Sequence, residues 1–309
     1  MLGARAAGYA SLEYAESLAG LGSIHTLPQC GGWFVERQIP GSDYADGMGG
    51  YPLFVCRDWN ALAEDVEQLS QRLVCLHLVT DAFADVTQSV LQLAFPDSCY
   101  EFKQHFISDL RRPLDEVVDA HHRRNIRKSL KALEVQESTS DADLLQTWQP
   151  LYANLIERHQ IEGIARFSQP SFERQLAAPG LVAFSAHEGA TTCGMTLWYV
   201  QGDVVYYHLG AYSEPGYRLG ASFALFWTAL THFAKNGIRW AALGAAAGSS
   251  SASTGLSRFK HGWATDTRPV YFCGRILQPA IYARLAAEAR SPNGFFPAYR
   301  ATVSPVAVE

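Results

Sequence analysis

The sequence predicts an α/β protein with mixed sheets, arranged as two units in tandem with helices flanking each sheet. Three observations lead there. Helical apolar stripes (Leu62, Val66, Leu69, Leu73; later Phe223, Phe226, Trp227, Leu230, Phe233) alternate with short runs rich in β-branched and aromatic residues. Glycine and proline clusters punctuate the changes of period. At 309 residues and 48% hydrophobic composition, the chain is long enough for about two cores. The polar stretch Ser138–Asp143 is the expected boundary, which gives units 1–138 and 139–309.

In chain order, Gly8–Gly20 reads as a helix. Leu27–Pro40 reads as a turn entering a strand, Gly41–Gly50 as a loop and Tyr51–Cys56 as a strand. Asp58 is the expected N-cap of a helix from Trp59 to Leu73. Val74–Val79 reads as a buried strand, Val86–Phe95 as a helix and Tyr100–Ile107 as an alternating strand. Asp115 is the expected cap of a basic helix that buries Val117, Val118, Ile126, Leu130 and Leu133.

The second half opens with a helix over Asp143–Gln160 and another begun by Ser168. A hairpin turns at Gly189, and Gly202–Asp203 turns again into the strand Asp203–Tyr212. Ser213–Gly220 reads as a turn, Ala221–Asn236 as a helix stopped by Gly237, and Ile238–Leu243 as a buried strand. Gly244–Thr254, rich in serine and alanine, reads as a flexible loop placed to close over substrate. A short helix over Ile281–Ala289 precedes an extended tail. The two halves share a cadence, which suggests an internal duplication.

Composition narrows the function classes. A formal net charge of −5 argues against nucleic-acid binding through overall charge, while leaving room for a local basic patch. The six cysteines are scattered without a C-x-x-C pair, as expected of reduced, mostly buried thiols. No metal is expected, because His121-His122 lacks ligand spacing. No signal-like segment or long apolar run is visible, so a cytoplasmic protein without a membrane span is expected.

Three stretches carry chemistry. Arg124, Arg127, Lys128 and Lys131 share one helix face, which suits phosphates; a merely solvated face, or arginines pinning the two halves, fits the same pattern. In the strand Asp203–Tyr212, Tyr206 and His208 point to one side and Tyr207 to the other. The helix start after Ser213–Gly220 offers backbone N–H groups to an anion. The third stretch is Gly255-Leu-Ser-Arg-Phe-Lys-His-Gly-Trp263 before a final strand.

Together these stretches, spanning roughly residues 121–273, resemble GNAT-type acyltransferases, and more closely the Fem-type branch with two tandem GNAT-like domains. The resemblance implies two splayed mixed sheets and transfer of an acyl group from acetyl-CoA or another acyl-CoA co-substrate to an amine. It implies coenzyme contacts at Gly210, Tyr217, Arg218, Gly220, Ala221 and Ser222. Substrate contacts are expected at Arg124, Arg127, Lys128, Tyr206 and Phe259. Lys260 is implied as the stabiliser of the tetrahedral oxyanion. Tyr207 is a candidate general acid and His208 a candidate base near neutral pH. Two positions depart from the family pattern: the coenzyme frame reads Tyr217-x-x-Gly220-x-Ser222, and Ala242-Leu-Gly244 stands where the branch has an Asp-Phe-Gly-like triplet. The alternatives are an aminoacyl-tRNA donor with a small-molecule or peptidoglycan-precursor-like amine acceptor, and a non-catalytic GNAT-like binding or scaffold protein.

Overall fold

The computed structural model describes residues 6–138, 141–245, 253–289 and 295–300. In chain order the elements are helix α1 (Leu12–Glu16), strands β1 (Ser23–Leu27), β2 (Gly32–Gln38) and β3 (Ala45–Gly49), helix α2 (Leu62–Gln68), β4 (Cys75–Val79), α3 (Gln88–Ala94), β5 (Ser98–Asp109), α4 (Leu114–Val117), α5 (Ala120–Ser129) and β6 (Glu134–Ser138). Then follow α6 (Asp141–His159), α7 (Gln169–Ala177), β7 (Leu181–Glu188), β8 (Thr191–Gln201), β9 (Val204–Tyr212), α8 (Glu214–Leu219), α9 (Ala221–Lys235), β10 (Trp240–Gly244), α10 (Ser253–His261), β11 (Asp266–Ile276) and α11 (Pro279–Ala289).

The mixed α/β class is as expected, but the chain divides elsewhere than at 138/139. One compact unit is built on His105–Arg268; the other combines Tyr9–Gln104 with the chain from Pro269 onward. Each half follows the same plan, strands and then a helix crossover to a parallel strand, and each ends in a long strand. Those long strands are exchanged. β5 pairs antiparallel with β10, and β11 pairs antiparallel with β4. The expected boundary therefore falls inside the His105–Arg268 unit, between β6 and α6.

The Tyr9–Gln104 unit has the sheet order β1-β2-β3-β4-β11, with β3 and β4 its parallel pair. Its core joins Phe34, Phe54, Leu62, Val66, Leu76 and Leu78. Here β3 replaces the expected loop. Tyr51–Cys56 forms no strand beyond a single bridge from Phe54 to Thr80. The first helix is short, capped by Ser11 and flanked by 3-10 turns. Asp58 caps as expected, but on a 3-10 turn that leads into α2.

The His105–Arg268 unit has the order β5-β10-β9-β8-β7-β6, with β9 and β10 parallel. Helix α9 buries Ala221, Ala224, Leu225, Phe226, Ala229, Leu230 and Phe233, a stripe at helical spacing, against Phe184, Trp198 and Val205 of the sheet. On the opposite face α6 and α7 cover the sheet, and the Tyr199 hydroxyl donates to the Gln175 carbonyl at 2.7 Å. Asp119, not Asp115, caps the basic helix α5, accepting from the His122 backbone N–H at 2.7 Å. Val118, Ile126 and Leu133 are buried as expected; Leu130 is exposed. The stretch read as a turn at Ser213–Gly220 is the helix α8, capped by Ser213 and ended by Gly220 in the left-handed region at φ 71°. Residues 246–252, within the expected substrate loop, and the tail 301–309 lie outside the described residues.

Candidate active site

The site is organised by a parting of strands. Pairing of β9 with β10 runs Val204↔Trp240, Val205↔Ala241, Tyr206↔Ala242 and then stops. Strand β9 continues to Tyr212 against β8, while β10 bends toward β5 through a bulge between Ala242 and Gly244. Beyond Tyr206 the edges of two neighbouring strands no longer satisfy each other.

Lys260 comes to this opening from α10. Its side chain is buried at 6% exposure, and Nζ donates to the Ala245 carbonyl at the end of β10, at 2.6 Å. Nζ also lies 5.8 Å from the centre of the Tyr207 ring. An ammonium held this way is a fixed positive charge inside a protein wall, where it interacts with a developing anion more strongly than in water.

Tyr207 pairs with Trp198 in register and packs on Phe226, so it faces α9 and α10. The Tyr207 and Tyr212 hydroxyls converge over Gly210. A Cβ there would lie 2.2 Å from one hydroxyl and 2.8 Å from the other, so the absence of a side chain is a requirement of the tyrosine pair. Burial, followed by the nearby Tyr207, pushes the Tyr212 phenol well above its ordinary value and keeps it protonated.

The other strand residues belong elsewhere. The register of β8 against β9 shifts between Leu197, opposite Leu209, and Trp198, opposite Tyr207. The His208 Nε2–H donates to Gln175 Oε1 at 2.9 Å, beside the Tyr199 and Phe167 rings on the α7 face. Burial lowers its pKa to about 3, so the expectation of a base near neutral pH is corrected: the imidazole is neutral there and sits across the sheet from Lys260. Tyr206 is buried and aligned with Tyr199, on that same far side. Phe259 is partly buried and packed among Phe223, Phe226 and Trp263.

The expected coenzyme residues separate into two groups. Gly220, Ala221 and Ser222 form the head of α9, which has no side-chain cap; near a Gly220 Cβ there would be only Phe223 at 3.5 Å and Ser129 of α5 at 3.9 Å. A helix head attracts an anion through its backbone N–H groups and dipole, although here the Phe223 N–H already bonds the Gly220 carbonyl at 3.0 Å. Tyr217 instead carries the Arg158 guanidinium 4.1 Å over its ring and meets Tyr212 edge-on, and Arg218 is exposed on α8. A cleft of about 270 Å³ opens here, lined by Asn154, Glu157, Arg158, Tyr212, Glu214 and Tyr217. Arg124, Arg127 and Lys128 are exposed on α5, whose last turn borders Gly220.

Sequence reasoning passed over Asp119, His122, Gln175 and Tyr212. The spacing Asp119-x-x-His122 is itself a capping signal, and Tyr207-x-x-Gly210-x-Tyr212 places two hydroxyls around a residue without a side chain. Gln175 bonds Ser171 one turn back on α7, but its links to Tyr199 and His208 come from two strands distant in sequence and leave no local signal. Among the described residues no group of three or more His, Cys, Asp or Glu is placed to hold a metal ion, and no helix is long and apolar enough to cross a membrane.

Comparison with known proteins shows what this geometry is similar to. Residues 120–261 match the family model described as "Acetyltransferase (GNAT) domain". A search of curated proteins finds no match. Among solved structures the chain is similar to FemX (14% identity, TM-score 0.69, covering 89% of this chain and 93% of that one). It is also similar to a C-terminal domain assigned to a lysylphosphatidylglycerol synthetase of Agrobacterium fabrum (14%, TM-score 0.61, 92% and 93%) and to L-PGS from Bacillus licheniformis (11%, TM-score 0.58, 98% and 99%). At these identities the likeness is one of fold.

Proposed function

We propose that the protein, whose residues 120–261 match a GNAT acetyltransferase domain and whose fold is similar to that of FemX, is an acyltransferase that moves an acyl group from an acyl-CoA, acetyl-CoA in the simplest case, to an amine. The observation that carries this reading is the parting of β9 and β10 after Tyr206↔Ala242 with the Lys260 ammonium at the opening. A donor carbonyl entering the gap meets the parted strand edges on one side and a fixed cation on the other. Attack by a neutral amine forms the C–N bond and places negative charge on the carbonyl oxygen. Lys260 stabilises that charge. The intermediate then collapses, the C–S bond breaks, Tyr207 supplies a proton to the departing thiolate, and the surplus proton of the attacking nitrogen returns the Tyr207 phenolate to its neutral form through solvent. The donor's phosphates would be held by the head of α9 at Gly220–Ser222, with Arg124, Arg127 and Lys128 adding positive charge.

An aminoacyl-tRNA donor is the second reading, favoured by one observation: the cations of α5 form an exposed row suited to a polyanion longer than a pyrophosphate. Thermal-shift measurements with acetyl-CoA and with aminoacyl-tRNA separate the two. A rise in Tm with acetyl-CoA at concentrations far above its Kd is expected. A rise with aminoacyl-tRNA alone would move the assignment to the second reading, and silence with both would leave a binding or scaffold protein. Lys260→Met should lower kcat by about 100-fold, equivalent to roughly 3 kcal/mol of lost transition-state stabilisation. An undiminished kcat would remove Lys260 from the chemistry.

A further inference from the structure

Lys260 owes its place to the last turn of α10, and that turn is held by a residue no motif points to. The final carbonyls of any helix have no partner within the helix. In α10 one of them, the Phe259 carbonyl, accepts a hydrogen bond from His122 Nε2–H at 2.9 Å. A carbonyl oxygen has no proton to give, so the proton on this nitrogen is fixed by its partner. The other ring nitrogen, Nδ1, lies 3.0 Å from Asp119 Oδ1, and the same oxygen caps α5. The Asp119 backbone N–H reaches the Gly262 carbonyl at 3.4 Å. The head of α5 is thereby fastened to the tail of α10 at two carbonyls.

The fit around the ring is specific. His122 is 2% exposed and meets Phe223, Phe259 and Trp263 at centroid distances of 5.1, 5.6 and 5.3 Å. A Cβ at position 262 would lie 2.1 Å from the imidazole, so only glycine leaves room for it. A ring packed this closely, bonded at both nitrogens, sets the phase and depth of the turn that carries Lys260 one residue later.

We propose that His122, oriented by Asp119 and admitted by Gly262, is the positioning residue for Lys260. It acts by capping the Phe259 carbonyl and never touches substrate; its catalytic consequence rests on the reading of Lys260 given above, but its structural consequence does not. The same contact links the basic face of α5 to Lys260, so a change in α5 is felt at the ammonium.

The test compares His122→Phe, which keeps a ring of similar volume without the donor, with His122→Gln, which restores an N–H of similar reach. Lys260 modification by trace acetic anhydride, followed by mass spectrometry, reads the position of Nζ without turnover. At least a fivefold faster labelling of Lys260 is expected in His122→Phe, with exposed lysines such as Lys128 as internal reference, and a return toward the wild-type rate in His122→Gln. Unchanged labelling in a His122→Phe protein with native near-ultraviolet circular dichroism would overturn the proposal. So would equal acceleration in both variants, since loss of the donor would then not be the cause. Kinetics separate this from the reading of Lys260. His122→Phe should lower kcat at least tenfold with KM within twofold, and should add less than twofold to Lys260→Met. A Lys260→Met protein of full activity sinks the role of Lys260, whereas independent, multiplying losses sink the positioning by His122 alone.

Discussion

Successive side chains on β9 leave the backbone on opposite faces, and that alternation separates Tyr207 from His208. Tyr207 lies with Lys260 on the α9 face, while His208 is enclosed near Gln175 with its pKa lowered by burial to about 3. This shift has a sign that can be measured. An unfolded chain takes up a proton on this histidine below about 6.5, whereas the folded chain does so only near 3. The folded state is therefore disfavoured as pH falls from 6.5 toward 3, by at most about 1.4 kcal/mol per pH unit from this group, and its contribution is complete above 6.5. His77, lowered to about 3 by burial and then by the Arg37 charge, works in the same direction. Urea unfolding at pH 7.5 and pH 5 should show the loss, and His208→Gln should make it shallower; an unchanged slope would mean that His208 is not the group responsible. The alternation along β9 was readable from residues alone. Which face holds the chemistry was not, because that depends on α7 and α10, whose partners are distant in sequence. The steric demand at Gly210 is likewise hidden in the sequence: the hydroxyls that exclude a side chain there come from three residues before and two after.

At the scale of the element, α5 was legible as a basic helix, and its cap was misplaced by one turn because Asp115 and Asp119 both precede a helical run. Helix α8 was hidden by Pro215 and Gly216, which suggest a turn, although proline is well tolerated in a first helical turn and Ser213 supplies the cap. Strand β3 was hidden by Gly47 and Gly49. Both are there because the neighbouring strand is close: a Cβ at 47 would meet Leu76 at 2.6 Å, and one at 49 would meet Leu78 at 2.5 Å. The exposed row on α5 makes its own prediction. Arg124→Glu with Arg127→Glu should weaken donor binding by at least tenfold at 50 mM salt, and the deficit should shrink at 0.5 M, where screening acts over about 4–5 Å. A deficit that is the same at both salt concentrations would point to altered folding of α5 against α9 and not to lost attraction.

For the molecule as a whole, the repeated cadence of helices and strands was readable, and the cut between halves was not. Sequence rhythm reports where elements lie along the chain, whereas the exchange of β5 and β11 is decided by which sheet edge each long strand completes. The consequence is testable by dividing the chain at the polar stretch after β6. The fragment 139–309 would lack β5, which pairs Asp109, Ser108, Ile107 and Phe106 with β10. It would also lack Leu110, Leu114, Val118, Ile126 and Leu133 from the core around α9, and His122 at the tail of α10. The fragment 1–138 would lack β11, whose Phe272–Ile276 pairs with β4, and Arg300, which bonds the fully buried Asp46 together with Arg37. Each fragment would thus expose an unpaired sheet edge and apolar surface that the intact chain covers. Neither should melt cooperatively alone, and mixing the two during refolding should restore native circular dichroism. A cooperative melt from 139–309 by itself would show that β5 and α5 are dispensable to the unit bearing Lys260, and the exchanged strands would then be an accessory to two self-sufficient halves.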